Sequence, residues 1–267
     1  MPRLPTRNVK WYGWVPDLPD QRDLAYAAPR ARKPLPRVVD LRASFKVPAY
    51  DQGELGSCTG NAIAAAVQFT RRKAGERPDF TPSRLFIYYN ERLIEGTVEQ
   101  DSGAQIRDGM KAVAKLGVCP EGAGRKPAPD AWPYDVQRFT QRPPRACFGF
   151  GLKHQILAYR RVPQVLMQLR ACLASGYPFV FGFTVYSGFE SDRVARSGVL
   201  DLPGGDEQVM GGHAVLAMGY DDAKQRFLVR NSWGADWGKD GHFTMPYAYL
   251  TDRQLASDFW TIRLVES

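Results

Sequence analysis

The chain predicts an α+β fold in two lobes, a helical left lobe and a β-barrel-like right lobe, with a cleft between them. Three observations carry this reading. The first half holds long runs of helical pattern closed by glycines, and the second half holds short apolar runs of strand character. A Pro- and Gly-rich stretch over residues 119–146 separates the two. The expected divisions are an N-terminal, pro-segment-like strap over 1–37, a mainly helical lobe over 38–147 and a mainly β lobe over 148–267.

In chain order, residues 1–37 are rich in Pro and Arg yet contain Trp11, Tyr12 and Trp14, three large aromatics in four positions. Such rings are costly to leave in water, so the segment must pack on something. Two readings stand open: a strap that occupies the cleft as an intramolecular inhibitor, and a permanent structural strap that never meets it. A helix is expected from Cys58 to Ala74, with Gly75 as its stop. Pro82 to Asn90 reads as a second helix with Pro near its first turn, and Ala104 to Leu116 as a third ended by Gly117. From about Phe148 the pattern turns to strands: Phe179–Val185, the segments around His213 and Asn231, and Phe259–Ile262. In this half only Pro163 to Ser175 reads as a helix.

Composition agrees with a folded enzyme, with 44% hydrophobic and 12% aromatic residues. The net charge of +8 is uneven: residues 1–46 hold ten Lys and Arg against four Asp, the remainder 26 against 24. The body is thus nearly neutral and carries no basic stripe interleaved with aromatics, so no nucleic-acid partner is expected. Pro2, Arg3, Pro5, Arg7 and Lys10 interrupt any N-terminal apolar run, and no stretch is long enough to span a membrane. The expectation is a soluble monomer without membrane contact, cytoplasmic or exported by a route that needs no cleaved signal. The four cysteines, Cys58, Cys119, Cys147 and Cys172, lack the paired short spacing of a zinc site, so neither metal nor cofactor is expected. With Cys58 assigned to catalysis, at most one intrachain disulfide remains, and Cys119 with Cys147 is the pair expected if one forms.

The chemistry is concentrated in three residue runs. Cys58 follows Asp51-Gln52-Gly53-Glu54-Leu55-Gly56-Ser57 and opens the first helix, where the positive end of the helix dipole favours a thiolate. Gln52, turned back by Gly53 and Gly56, can set its amide beside the Cys58 backbone N–H to form an oxyanion hole. His213, in Gly211-Gly212-His213-Ala214-Val215, supplies a base. Asn231 follows eighteen residues later, in Arg230-Asn231-Ser232-Trp233-Gly234. On two antiparallel strands the Asn231 amide oxygen would accept from one ring nitrogen of His213 and leave the other facing Cys58, with Trp233 covering that hydrogen bond. His242 and His154 lack a partner motif and are expected to be structural or surface residues.

With these motifs the chain resembles a papain-family cysteine peptidase, of the compact bacterial branch. Gln52, Cys58, His213 and Asn231 match, in order, that family's oxyanion glutamine, nucleophile, base and orienting asparagine. Smaller matches are Val39-Asp40-Leu41-Arg42, Trp132-Pro133-Tyr134, Gly176-Tyr177-Pro178 and Trp237-Gly238, and the likeness covers roughly residues 38–262. The resemblance implies the two-lobe cleft and substrate contacts at Gly103, Ala104, Ile106, Gly182, Gly212, Ala214 and Trp233, with a preference for a hydrophobic side chain. It departs at Leu55, where the family has a disulfide cysteine, at Thr59, where a tryptophan is usual, and at Ala104, where a second glycine is usual.

The function implied is a cysteine endopeptidase acting on peptide or protein substrates through a Cys58 thiolate, a His213 imidazolium and a thioester acyl-enzyme, inhibited by its own N-terminal segment. Two alternatives differ in class: a thiol acyltransferase or amidase using the same Cys/His/Asn set, and a non-catalytic binding module on a peptidase fold. The Asn231-Ser232-Trp233-Gly234 context disfavours the first, and the intact set of four disfavours the second.

Overall fold

A computed structural model describes residues 10–28, 34–122 and 128–265. β1 (Trp14–Val15) lies in the N-terminal segment, and β2 (Val38–Asp40) and α1 (Arg42–Phe45) enter the body. The helical lobe is built from α2 (Cys58–Ala74), α3 (Arg84–Glu95), the short β3 (Ala104–Gln105), α4 (Ile106–Leu116) and α5 (Arg145–Gly151). The β lobe follows with β4 (Ile156–Arg161), α6 (Leu166–Ala174), β5 (Phe179–Tyr186), α7 (Asp192–Ser197) and β6 (Val209–Asp221). It ends with β7 (Arg226–Arg230), β8 (His242–Pro246), α8 (Tyr247–Thr251) and β9 (Ala256–Val265). None of the described helices is long and apolar enough to cross a membrane.

The main sheet runs β4-β9-β5-β6-β7-β8, with β2 added on β6, and its pairings are antiparallel. It stays open, with β4 and β8 at its ends. Helix α2 covers one face, so the apolar surface is buried without closing the strands into a ring. Strand alternation divides the core. Phe179, Phe181, Phe183 and Val185 of β5 with Val215 and Ala217 of β6 enter one apolar cluster. Val180, Ala214, Leu216 and Met218 turn to the other side, onto Cys58, Ile63, Val67 and Ile106 of the helical lobe.

Helix α2 is buried at every residue from Cys58 to Arg71. Small residues allow this: a Cβ at Gly60 would lie 2.8 Å from the Arg84 carbonyl. The helix stops where the sequence predicts, on Gly75 at φ 77°. Helix α3 begins later than the sequence predicts. The Ser83 hydroxyl caps it by accepting from the Phe86 amide at 3.1 Å, leaving Pro82 outside, bridged to Pro120. The expected helix from Ala104 starts at Ile106, because Ala104 and Gln105 are extended and pair in parallel with Trp14 and Val15. Helix α6 likewise begins at Leu166 rather than Pro163.

Two helices of the β lobe, α7 and α8, escape sequence reading because each is under two turns long. The local signals for α7 are nonetheless present: the Ser191 hydroxyl accepts from the Val194 amide, and Gly198 closes the helix at φ 63°. All four cysteines are buried free thiols. Cys119 and Cys147 share an apolar cluster with Leu85, Phe86 and Trp132, joined by a thiol–thiol hydrogen bond rather than the disulfide considered from the sequence.

Candidate active site

The loop ahead of α2 is stapled to the end of β7. The Gln52 amide donates to the Ser232 carbonyl at 2.8 Å, and the Ser232 hydroxyl donates to Gln52 Oε1 at 2.6 Å. That fixes which end of the Gln52 side chain carries its N–H groups. Nε2 donates to the Leu55 carbonyl at 2.9 Å, in the turn leading into Cys58, and the Tyr134 hydroxyl donates to the Gln52 carbonyl. Gly53 takes φ 59° to make this turn possible.

Cys58 is the first residue of α2 and has no exposed surface. Its sulfur is approached by the backbone N–H groups of Ala214, Gly13 and Thr59, while burial pushes the thiol up to about 12. Burial thus works against the thiolate, and the three N–H groups work for it. Ala214 follows His213 on β6, so the cysteine of the helical lobe meets the histidine strand of the β lobe.

His213 is fully buried, opposite Phe183 of β5. Its Nε2 lies 2.8 Å from Asn231 Oδ1, and the same oxygen accepts the Ser232 amide at 2.9 Å. An oxygen held as acceptor requires Nε2 to carry the proton, which makes Nδ1 the basic nitrogen. Trp233 lies over the imidazole, with ring centroids 5.4 Å apart, and Phe183 and Phe189 complete an aromatic surround. The structure thus brings Gln52, Cys58, His213 and Asn231 to one place.

The N-terminal strap passes through that place. The Tyr12 ring stands edge-on to His213 at 5.7 Å and near Trp233 at 6.2 Å, and its hydroxyl donates to Glu190 at 2.7 Å. Gly13 lies in the narrowest passage, where a Cβ would fall 1.6 Å from the Gly56 carbonyl oxygen. Its own carbonyl accepts the Ala104 amide at 2.8 Å. The Trp14 indole fills a pocket that glycines leave open: a Cβ at Gly182 or Gly212 would lie 1.9 or 2.6 Å from its ring atoms. Ile106 and Ala214 share the same apolar cluster with Trp14. A Cβ at Gly103 would lie 2.1 Å from the Gly13 carbonyl oxygen. Gly103, Ala104, Gly182, Gly212 and Trp233 therefore meet the strap, and Ile106 and Ala214 lie in the apolar cluster that Trp14 joins.

Sequence reading missed the polar residues that receive the strap. Asp258 Oδ2 accepts the Trp14 indole N–H at 3.2 Å and the Asp17 amide at 2.8 Å. Asp101 takes the Gly56 amide on its carboxylate, while its carbonyl takes the Trp11 indole N–H at 2.7 Å. A buried aspartate inside the apolar run Ala256-Ser257-Asp258-Phe259-Trp260 was the available signal. The remaining histidines are structural. His242 donates from Nδ1 to the Asp240 carbonyl and burial pushes it down to about 4; His154 meets Arg71 and the rings of Phe80 and Phe150.

Comparison with known proteins agrees with this geometry. The family described as papain family cysteine protease matches residues 35–258. Xylellain, a cysteine protease from Xylella fastidiosa, is 45% identical, with 97% of this chain and 98% of that chain covered and a TM-score of 0.85. An uncharacterized peptidase C1-like protein, L477 of Acanthamoeba polyphaga mimivirus, is 38% identical over 95% of this chain and 87% of its own length. Digestive procathepsin L 3 of Tenebrio molitor larval midgut, 19% identical at a TM-score of 0.67 over 90% of this chain and 73% of that one, shares the fold. The chain belongs to the papain family of cysteine proteases.

Proposed function

We propose that this peptidase cleaves internal peptide bonds with Cys58 as nucleophile and His213 as base, and that its own strap holds it shut. His213 Nδ1 takes the thiol proton, and Asn231 holds the ring in the tautomer that makes this possible. The thiolate attacks the peptide carbonyl, and the oxyanion is received by the Cys58 amide and Gln52 Nε2. His213 returns the proton to the leaving amine, and water hydrolyses the thioester. Thiolate and imidazolium titrate as a pair, so a pH profile belongs to both.

The observation that carries the reading is the path of the strap. A polypeptide runs past Cys58 with chain on both sides, from Trp11 at Asp101 to Asp17 at Asp258, which suits a cleft open at both ends. Its Gly13 N–H is directed at the sulfur, and Tyr12 and Trp14 cover the groups a substrate would need. The helical lobe and the β lobe form the two walls of the cleft.

The full-length chain with Gly13→Val tests this, because any Cβ there collides with the Gly56 carbonyl. Intact mass after exposure to an epoxysuccinyl-peptide thiol inhibitor should show slow labelling of the native chain, fast labelling of Gly13→Val and none of Cys58→Ala. Peptide turnover should rise in parallel. Equal labelling of native and Gly13→Val chains would sink the inhibitory role of the strap.

A further inference from the structure

Arg107, the second residue of α4, is 4% exposed, and its guanidinium is held by the strap. Nε and Nη2 donate to the two Asp23 oxygens at 2.9 and 2.6 Å, and Nη1 donates to the Leu18 carbonyl. Arg161 of β4 reaches the same carboxylate, donating from Nη1 to Asp23 Oδ2 at 2.9 Å and from Nη2 to Asp258 at 3.0 Å. The N-terminus of α4 has the same character. Gln105, at its cap position, makes no side-chain cap, and the Arg107 amide instead donates to Asp17 Oδ1 at 3.0 Å. The Trp260 indole donates to the other Asp17 oxygen at 2.8 Å. Two carboxylates of the strap are therefore received by donors that all belong to the body: two guanidinium groups, one helix amide and one indole.

Lifting of the strap as far as its root at Leu24 and Ala25 takes away every one of these acceptors except Asp258. The body is left with a fork-shaped donor set, on the side of the Trp14 pocket away from Cys58, matched to a carboxylate. An adjoining cavity of about 360 Å³ is lined on the strap side by Asp20, Arg22 and Asp23 and on the body side by Lys111, Arg160 and Trp260, so the wall that the body contributes carries two further cations. Lys111 is shared with Asp108 at 3.1 Å.

We propose that this donor set is a carboxylate-binding subsite for the substrate, with Arg107 as its specificity-determining residue and Arg161 beside it. The strap fills it as an acidic peptide would, so peptides with an acidic side chain at the matching distance from the scissile bond are the preferred substrates. This rests on the reading of the strap as a cleft-occupying inhibitor, and it replaces a purely apolar specificity with an apolar pocket followed by a basic one that takes an acidic side chain.

The test uses the full chain opened by Gly13→Val with Asp17→Asn and Asp23→Asn, so that neither the passage nor the subsite is filled. A series of quenched fluorogenic peptides walks one Asp along the sequence, each paired with its Asn counterpart. At one or two positions Asp should raise kcat/KM roughly tenfold through KM, as expected for charge-assisted hydrogen bonds. Arg107→Gln in the opened chain should bring that ratio near one, and Arg107→Lys should keep a fraction of it. Where Arg107→Gln fails to fold, Arg161→Gln, whose native side chain is 32% exposed, carries the same comparison. An opened enzyme indifferent to Asp at every position, or a ratio that survives both substitutions, overturns the subsite while leaving the inhibitory strap intact. An opened enzyme that labels at Cys58 no faster than native and cleaves no peptide overturns both.

Discussion

Tyr12–Trp14 and Asp17–Asp23 are neighbours in one strap, yet they grip the enzyme by different physics. The first stretch is held by shape: an edge-on ring at His213, a glycine in a passage too narrow for a methyl, and an indole where Gly182 and Gly212 leave room. The second is held by polar contacts, with Asp23 ion-paired to Arg107 and Arg161 and Asp17 hydrogen-bonded to the α4 amide. Apolar burial excludes water from the catalytic groups and is insensitive to salt. Ion pairs and charged hydrogen bonds set register and respond to salt and pH. On the proposed reading of the strap, blocking and anchoring fall to separate residues.

Substitutions that strike one half at a time sharpen the contrast. The largest effect is expected from Trp14→Ala. Emptying the pocket costs about 3 kcal/mol, and inhibitor labelling of Cys58 should quicken on the order of a hundredfold. A change within twofold would mean that the indole does not hold the strap. In the ionic half, Asp23→Asn should quicken labelling roughly tenfold, and added salt should have less effect on that variant than on the native chain. A native chain indifferent to salt would remove the anchoring role.

Proton linkage gives the next effect. Burial, and then the nearby Asp258, raise the Asp17 carboxyl from 3.8 to about 6, against the pull of the Arg107 amide, the Trp260 indole and the Arg107 charge. The strapped state therefore binds a proton more tightly than the released one, so release gives that proton up. The strap should hold best at acid pH and loosen roughly tenfold between pH 5 and 7, levelling off above. The measurement is the ratio of native to Gly13→Val labelling rates, which cancels the titration of the catalytic pair. Asp17→Asn should flatten it. The smallest effect belongs to Tyr12→Phe, which loses one hydrogen bond to Glu190, about 1 kcal/mol, and should quicken labelling around fivefold.

What sequence could reveal of this molecule follows a physical divide. The helix from Cys58 to Ala74, the strand Phe179–Val185, which runs one residue further in the structure, and the meeting of His213 with Asn231 rest on periodicity, a glycine stop and motif order, all local. Ala104 and Gln105 read as helical because their extended form is imposed by pairing with Trp14 and Val15, about ninety residues away. The aromatics of the strap announced that something must bury them. Of their receivers, Asp258 shows only as a charge within an apolar run, and Glu190 and Arg107 carry no local signature, since each is defined by a partner distant in sequence.

The strap is rooted close to the site it fills. Ala25 bridges to Arg161, the Tyr26 amide donates to the Arg161 carbonyl at 2.7 Å, and the Tyr26 ring is buried in the core. Gly13 lies only twelve residues before Ala25. A segment on so short a tether is present at its target at an effective concentration of roughly millimolar order, whatever the dilution of the protein. Opening is then a unimolecular event. If the strap inhibits as proposed, the rate of the intact chain at high substrate should reach a ceiling set by how often the strap lifts, and latency should belong to each molecule and not depend on how many share the solution.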